Sequence, residues 1–252
     1  MAKNPIFEVL LLLGRPAAGK SEILEHLRNM DPSSRMGKFH IGELDVIDDF
    51  PMLWTWLEED DILSKKFAKP RLRTDEDGYF IFPYLWNLLI ERIGLDYKKR
   101  IRDDLNYHQH TTAIVEFSRG SQHGGYQQAF ENLSDQILAR AGIVYVQVSF
   151  AESFRKNRLR FNPQRPDSIL EHALEDEKLE RLYRDDDWHE LIAKSNSASY
   201  LKIQGIRVPY VIFENEDDVS TQGGAPLTRR LQETLGRLWD IQDLGKSKID
   251  VA

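Results

Sequence analysis

An α/β fold, with a central parallel sheet and helices on both faces, is what this sequence predicts, on three observations. Apolar and β-branched runs of strand length alternate with longer segments of helical spacing. The first such run feeds a glycine-containing loop that opens directly into a helix. No repeat, low-complexity stretch or clean linker interrupts the alternation, so the 252 residues read as one domain over 1–252. Its core takes in 1–50, 111–150 and 200–245. A helical insertion covers 51–110, and a second, lid-like helical region covers 151–195.

Taken in order, residues 6–13 predict the first strand and 20–30 the first helix. That helix ends before Asp31-Pro32-Ser33-Ser34, which reads as a turn. Residues 38–46 predict a second strand, with Phe39 and Ile41 alternating against His40 and Gly42. Pro51 opens a helix at its first turn, where a missing N–H costs little, and the helix runs to about residue 67. A polar loop over 69–78 precedes an aromatic helical stretch over 79–107. Residues 111–117 are β-branched and apolar, as a buried strand requires. Over 127–140 the spacing predicts an amphipathic helix with Tyr126, Phe130, Leu133 and Ile137 on one face. Ala141-Gly142 stops it before a strand over 143–150. A charged, mostly helical region follows to about 194, then a strand over 208–213. The closing helix over 226–239 aligns Leu227, Leu231, Leu235 and Leu238, and the tail from 245 is expected to fray.

Composition removes several function classes. With no cysteine there is no disulfide, thiolate metal site or cysteine nucleophile. The apolar run at 9–13 is too short for a membrane span, and nothing around it resembles a signal peptide, so a cytoplasmic protein without membrane partner is expected. A net charge of −7 argues against broad nucleic-acid binding. The oligomeric state stays open, a homodimer included.

Four groups of residues carry candidate chemistry. The first is Gly14-Arg15-Pro16-Ala17-Ala18-Gly19-Lys20-Ser21, which follows a strand and opens a helix, the order a phosphate-binding loop requires. Its glycines let backbone N–H groups aim at phosphate oxygens, and the helix N-terminus adds partial positive charge. Lys20 would reach the outer phosphates of a triphosphate, and Ser21 would bind Mg²⁺. The second is Glu116 at the end of a strand, with Arg119 three residues on. Glu116 would hold a metal-bound water or take a proton, and Arg119 would pin a phosphate with its planar fork; the pair also reads as a strand-end salt bridge. The third is Arg155, Arg158 and Arg160. Arg155 and Arg158 share a helix face and suit a closing lid that neutralises transferring charge, though acids such as Glu171 and Asp176 follow closely enough to pair with them. The fourth is the acidic run 43–49, where Asp45 or Glu43 would serve as general base, or cap the helix after Pro51. The aromatics from Trp54 to Trp86 read as core, with base stacking as the alternative.

In this layout the chain resembles the P-loop kinases of nucleosides, nucleotides and similar small molecules, the adenylate-kinase-like group. The resemblance rests on the loop 14–21, on Glu116 with Arg119, on Arg155, Arg158 and Arg160 after the fourth strand, and on Val211-Ile212-Phe213-Glu214-Asn215. It implies a three-layer P-loop NTPase fold with helical acceptor-side and lid insertions. It implies an Asn215 lying near adenine, ATP and Mg²⁺ as cofactors, and a small-molecule phosphoryl acceptor. It does not reach the 51–110 insertion, so the acceptor stays unidentified. The expected activity is transfer of the ATP γ-phosphoryl group to that acceptor, a nucleoside or nucleotide among the options. The alternative is a P-loop ATPase, switch or nucleotide-binding regulator.

Overall fold

The first strand alternates sides along one apolar run, and this builds the core in two layers. In the computed structural model, which describes residues 5–160 and 174–249 with side chains to 244, β1 (Val9–Gly14) is buried throughout. After it come α1 (Lys20–Arg28), α2 (Pro32–Phe39), β2 (Glu43–Asp48), α3 (Phe50–Phe67), α4 (Tyr84–Asp103), α5 (Tyr107–His110) and β3 (Thr111–Phe117). Next are α6 (Gly125–Glu131), α7 (Asp135–Leu138), β4 (Ala141–Gln147), α8 (Phe150–Arg160), α9 (Asp176–Tyr183) and α10 (Trp188–Lys194). The chain closes with β5 (Tyr200–Ile203), β6 (Ile206–Glu214), α11 (Val219–Gln222) and α12 (Gly224–Ile249).

The strands form one sheet in the order β2-β3-β1-β4-β6-β5, parallel except at β5. Val9, Leu11 and Leu13 face a layer with Ile90 and Tyr97 of α4, Phe130 of α6 and Trp188 of α10. Leu10 and Leu12 face the other, with Ile23 and Leu27 of α1 and Leu227, Leu231, Leu235 and Leu238 of α12. An all-apolar strand is what burial on both faces demands. The α/β architecture with helices on both faces is therefore as expected. The antiparallel β5, paired with β6 across the Gln204-Gly205 turn, is an addition the sequence reading did not contain.

Other departures have local causes. Residues 32–39 form a helix because Pro32 sits in its first turn and the Asp31 carboxylate accepts from Ser34 N at 2.9 Å. The second strand accordingly starts and ends later than expected, at Glu43 and Asp48. The 127–140 helix is split into α6 and α7, with Asn132 closing α6 and Ser134 preceding α7. The closing helix continues to Ile249, past the point where fraying was expected.

The segment 51–110 packs an apolar cluster, Trp56, Leu85, Trp86 and Leu89 with Phe80 against them, so Trp56, Phe80 and Trp86 are core as expected, whereas Phe82 and Tyr84 are exposed. Its connecting loop is tied down by one carboxylate. Asp60, fully buried on α3, accepts from Leu72 N, Arg73 N, Thr74 N and Thr74 Oγ1 at 2.7–3.0 Å. Asp60→Ala is expected to cost about 3 kcal/mol, because three N–H groups, that of Thr74 buried and those of Leu72 and Arg73 partly so, lose an ionised acceptor. Urea titration and limited proteolysis within 71–74 check it; a variant as stable and as resistant as the parent would show the clamp to be dispensable.

Candidate phosphate-transfer site

The carboxyl ends of β1, β2 and β3 meet, and the loop 14–21 leaves β1 at that point. Strand register places Leu12 beside Glu116 and Glu116 beside Asp48. Partners in register point to the same face. Glu116 and Asp48 therefore stand together on the α1 side of the sheet, as Leu12 and Ile114 do.

The loop after β1 takes backbone angles that favour glycine. Ala17 and Gly19 take positive φ, at 55° and 111°. A Cβ at Gly19 would run into Ser220 Oγ and approach Asn215 Nδ2 at 2.5 Å, so only glycine fits. Lys20 and Ser21 open α1, with Ser21 exposed in its first turn. Lys20 is buried, and its Nζ donates to Ser118 Oγ at 2.9 Å, Arg15 O at 3.0 Å and Gly14 O at 3.3 Å. It lies 3.8 Å from Glu116 Oε1. Arg15 turns away from the loop, donating to Tyr183 O at 3.0 Å and pairing with Asp186. Pro16 O accepts from Ser153 Oγ at 2.7 Å, so α8 packs directly on the loop.

Electrostatics follow from burial. Burial pulls the Lys20 ammonium below its ordinary value, with Glu116 acting the other way. Burial pushes the Glu116 carboxyl up, with Lys20 opposing. Asp48 is pushed up to about 8, first by burial and then by Glu116 and Asp49. Its Oδ1 accepts from Phe50 N at 2.9 Å. A carboxyl held near neutral pH at a strand end beside a phosphate loop is a candidate acid or base.

Several sequence-selected residues stand elsewhere. Asp45 lies three residues before Asp48, about 10 Å back along the strand. By parity it is on the opposite face, where it accepts from Arg100 Nε at 2.7 Å and Tyr107 Oη at 2.8 Å. The acid that stands beside Glu116 at the strand ends is Asp48, not Asp45. Arg119 is buried and does not reach out for an acceptor. It pairs with Asp49 at 2.6 Å, donates to Ser118 O and Trp86 O, and lies over the Trp86 and Phe117 rings. Asn215 is fully buried behind the loop. It donates to Ala18 O at 2.7 Å and Ser220 Oγ at 2.8 Å, and it accepts from Ser220 N. That arrangement braces the loop and leaves nothing for a base.

On α8 the inward face is Ser153, Lys156, Asn157 and Arg160, at helical spacing. Arg155 pairs with Glu152 and Asp218, and Arg158 with Asp176; both are exposed. Arg160 instead donates to both Glu22 oxygens at 2.9 Å, one residue past Ser21, and its charge acts on Lys20 and Glu116. Buried Lys156, absent from the sequence reading, bonds Asp218 at 2.5 Å and Ser220 at 3.1 Å and so joins α8 to the brace behind the loop. Its signal was available as the i, i+3 spacing from Ser153, hidden within a charged run. Glu171 lies outside the described residues. Trp54, Leu57, Glu58 and Asp61 of α3, with Arg71 of the connection after it, help line a separate cleft of about 470 Å³ that includes no residue of the 14–21 loop. No helix among the described residues is long and apolar enough to cross a membrane.

No family model matches this chain, and no curated protein matches it. Solved structures do resemble it at a distance. The Thermus thermophilus protein TT1252 is 15% identical with a TM-score of 0.45, over 94% of this chain and 99% of that one. A sugar kinase from Janibacter sp. is 10% identical with a TM-score of 0.37, over 91% and 95% of the two chains. Shikimate kinase from Acinetobacter baumannii, solved with shikimate, is 11% identical with a TM-score of 0.30, over 69% and 75%. At these scores the likenesses say nothing of this chain's substrate.

Proposed function

We propose that this chain is an ATP-dependent phosphotransferase that moves the γ-phosphoryl group to a small acceptor. The observation that supports it most is the meeting of Lys20 with Glu116 and Asp48 at the mouth of a loop whose backbone admits only glycine at position 19. The loop amides and Lys20 would hold the triphosphate. Ser21 and Glu116 would hold Mg²⁺, which supplies charge neutralisation at the phosphates. The Ser21 hydroxyl, on an exposed residue, and the partly buried Glu116 carboxylate are the hard oxygen donors that ion takes. Asp48 would accept the proton that the acceptor hydroxyl loses. Arg160 would face the charge that builds on the moving group, in the role the sequence reading gave to Arg155 and Arg158.

A library of small hydroxyl and phosphate compounds, screened for ADP release with Mg-ATP, tests the reading. A kinase releases ADP well above background only with its acceptor. Hydrolysis that no acceptor accelerates would overturn it in favour of an ATPase or switch. Arg160→Ala is expected to lower kcat about 100-fold with little change in ATP affinity. Steady-state kinetics check this, and an unchanged kcat would remove Arg160 from the site.

A further inference from the structure

The ends of β2 and β3 carry acids, and the arginine beside them is already paired. Three carboxylates, Asp48, Asp49 and Glu116, gather at the ends of β2 and β3, where their charges act on one another. The arginine that could turn this negative field around is Arg119. Its guanidinium is sealed between the Trp86 and Phe117 rings, 5.3 and 5.4 Å from their centroids. Asp49 holds it at 2.6 Å, and both side chains are under a tenth exposed. Two main-chain carbonyls, Ser118 O and Trp86 O, take further donors from it. Other cations around these strand ends, among the described residues, are engaged as well. Arg100 is on Asp45, Arg160 on Glu22, and Lys20 at the loop. A phosphomonoester entering here would find Arg119 held by Asp49 and these neighbouring cations engaged, so its charge would go without an arginine partner in a partly buried setting. A hydroxyl would find an acid able to accept its proton.

We infer that the acceptor is an uncharged hydroxyl compound, of the polyol, sugar or nucleoside kind. Asp49, by holding Arg119 in a buried ion pair, keeps phosphate-bearing acceptors out. This rests on the phosphotransfer reading and narrows it. In the step, the acceptor oxygen forms its bond to the γ-phosphorus as the bond from that phosphorus to the β,γ-bridging oxygen breaks. ADP leaves with the bond's electrons, and the hydroxyl proton passes to Asp48. No further reactant is needed.

The test compares two pools on the full chain with Mg-ATP: glycerol, ribose, glucose and adenosine against glycerol 3-phosphate, ribose 5-phosphate, glucose 6-phosphate and AMP. Calorimetric binding of Mg-ATP is read separately. The expected result is at least 10-fold stimulation of ADP release by a member of the neutral pool and less than 2-fold by any phosphate ester. Stimulation by the esters overturns the inference while leaving phosphotransfer standing. So does silence from the neutral pool in a chain that binds Mg-ATP. Failure to bind Mg-ATP removes both readings. Asp49→Asn, which frees Arg119, is expected to give at least 10-fold better use of an ester. Asp49→Glu, which keeps the charge for Arg119, is expected to keep the parent's discrimination and serves where Asp49→Asn does not fold. A folded Asp49→Asn that still refuses esters, or an Asp49→Glu that accepts them, overturns the role given to Asp49.

Discussion

Lys20→Ala is expected to lower ATP turnover by about 1000-fold while leaving the fold intact, because under the proposed function the lysine would hold phosphate, while its buried charge contributes little to folding. Its ammonium is buried, and burial has pulled its proton affinity down. With its proton affinity lowered on folding, the ammonium costs stability at neutral pH and below, and that penalty is relieved as pH rises through the alkaline range. Its three oxygen partners and Glu116 offset part of that penalty. Removing the charge leaves Ser118 Oγ and two loop carbonyls beside the space it vacates, where solvent can satisfy them. Glu116, already pushed up by burial, goes further toward its neutral form. Far-ultraviolet circular dichroism and a thermal midpoint within a few degrees of the parent check the fold. The thermal shift that a saturating nucleotide produces, about 2.7 kcal/mol at a hundred times Kd, should collapse along with turnover. Turnover at the parent's rate would remove the loop from the chemistry.

Residues whose role follows from local spacing were readable in the chain, and residues whose role follows from register or pairing were not. The loop 14–21 announces itself because strand, glycine loop, lysine and helix are contiguous. Glu116 announces itself as a carboxylate ending a β-branched run. Asp48 does not, since reading 32–34 as a turn started the second strand five residues too early and ended it two residues too early, and so brought Asp45 and Glu43 forward as its acids. The clue was in the chain: Asp31 followed by Pro32 and Ser34 is a helix start as well as a turn. Arg119 looked like an open anion fork because nothing in its own segment shows that Asp49, seventy positions earlier, reaches it. Asn215 was placed near a base on resemblance, whereas its amide is consumed by Ala18 across the fold and by Ser220 five residues on. For the arginines of α8, the sequence reading chose the pair on one face, and the structure turns the other face inward. Neither long-range pairing nor helix rotation is written in local spacing.

Asp48→Asn should separate the two things that a carboxylate at this point does, since it is expected to lose activity and gain stability. As the acceptor's proton receiver, Asp48 should be worth about 100- to 1000-fold in kcat, and the amide cannot take that proton. Its effect on folding has the opposite sign. Its carboxyl titrates at about 8 in the folded protein and near 4 when the chain is unfolded. Below about pH 4 both states hold the proton and the group is neutral to stability. From about 4 to 8 only the folded state holds it, so stability falls as pH rises, and above about 8 the loss is complete. Asparagine escapes that loss, and its Oδ1 can still accept from Phe50 N, the bond Asp48 makes at 2.9 Å. Asp48→Asn is therefore expected to match the parent near pH 4 and to exceed it by on the order of 2 kcal/mol at pH 9, measured by urea titration at the two pH values. In the parent, kcat should rise with pH through the same range as the carboxylate fills. A side chain that weakens the fold at the pH where it is ionised is retained for chemistry, the trade-off expected of active sites. If the variant were less stable than the parent at pH 9 as well as inactive, Asp48 would be a structural acid, and the search for the base would move to Glu116.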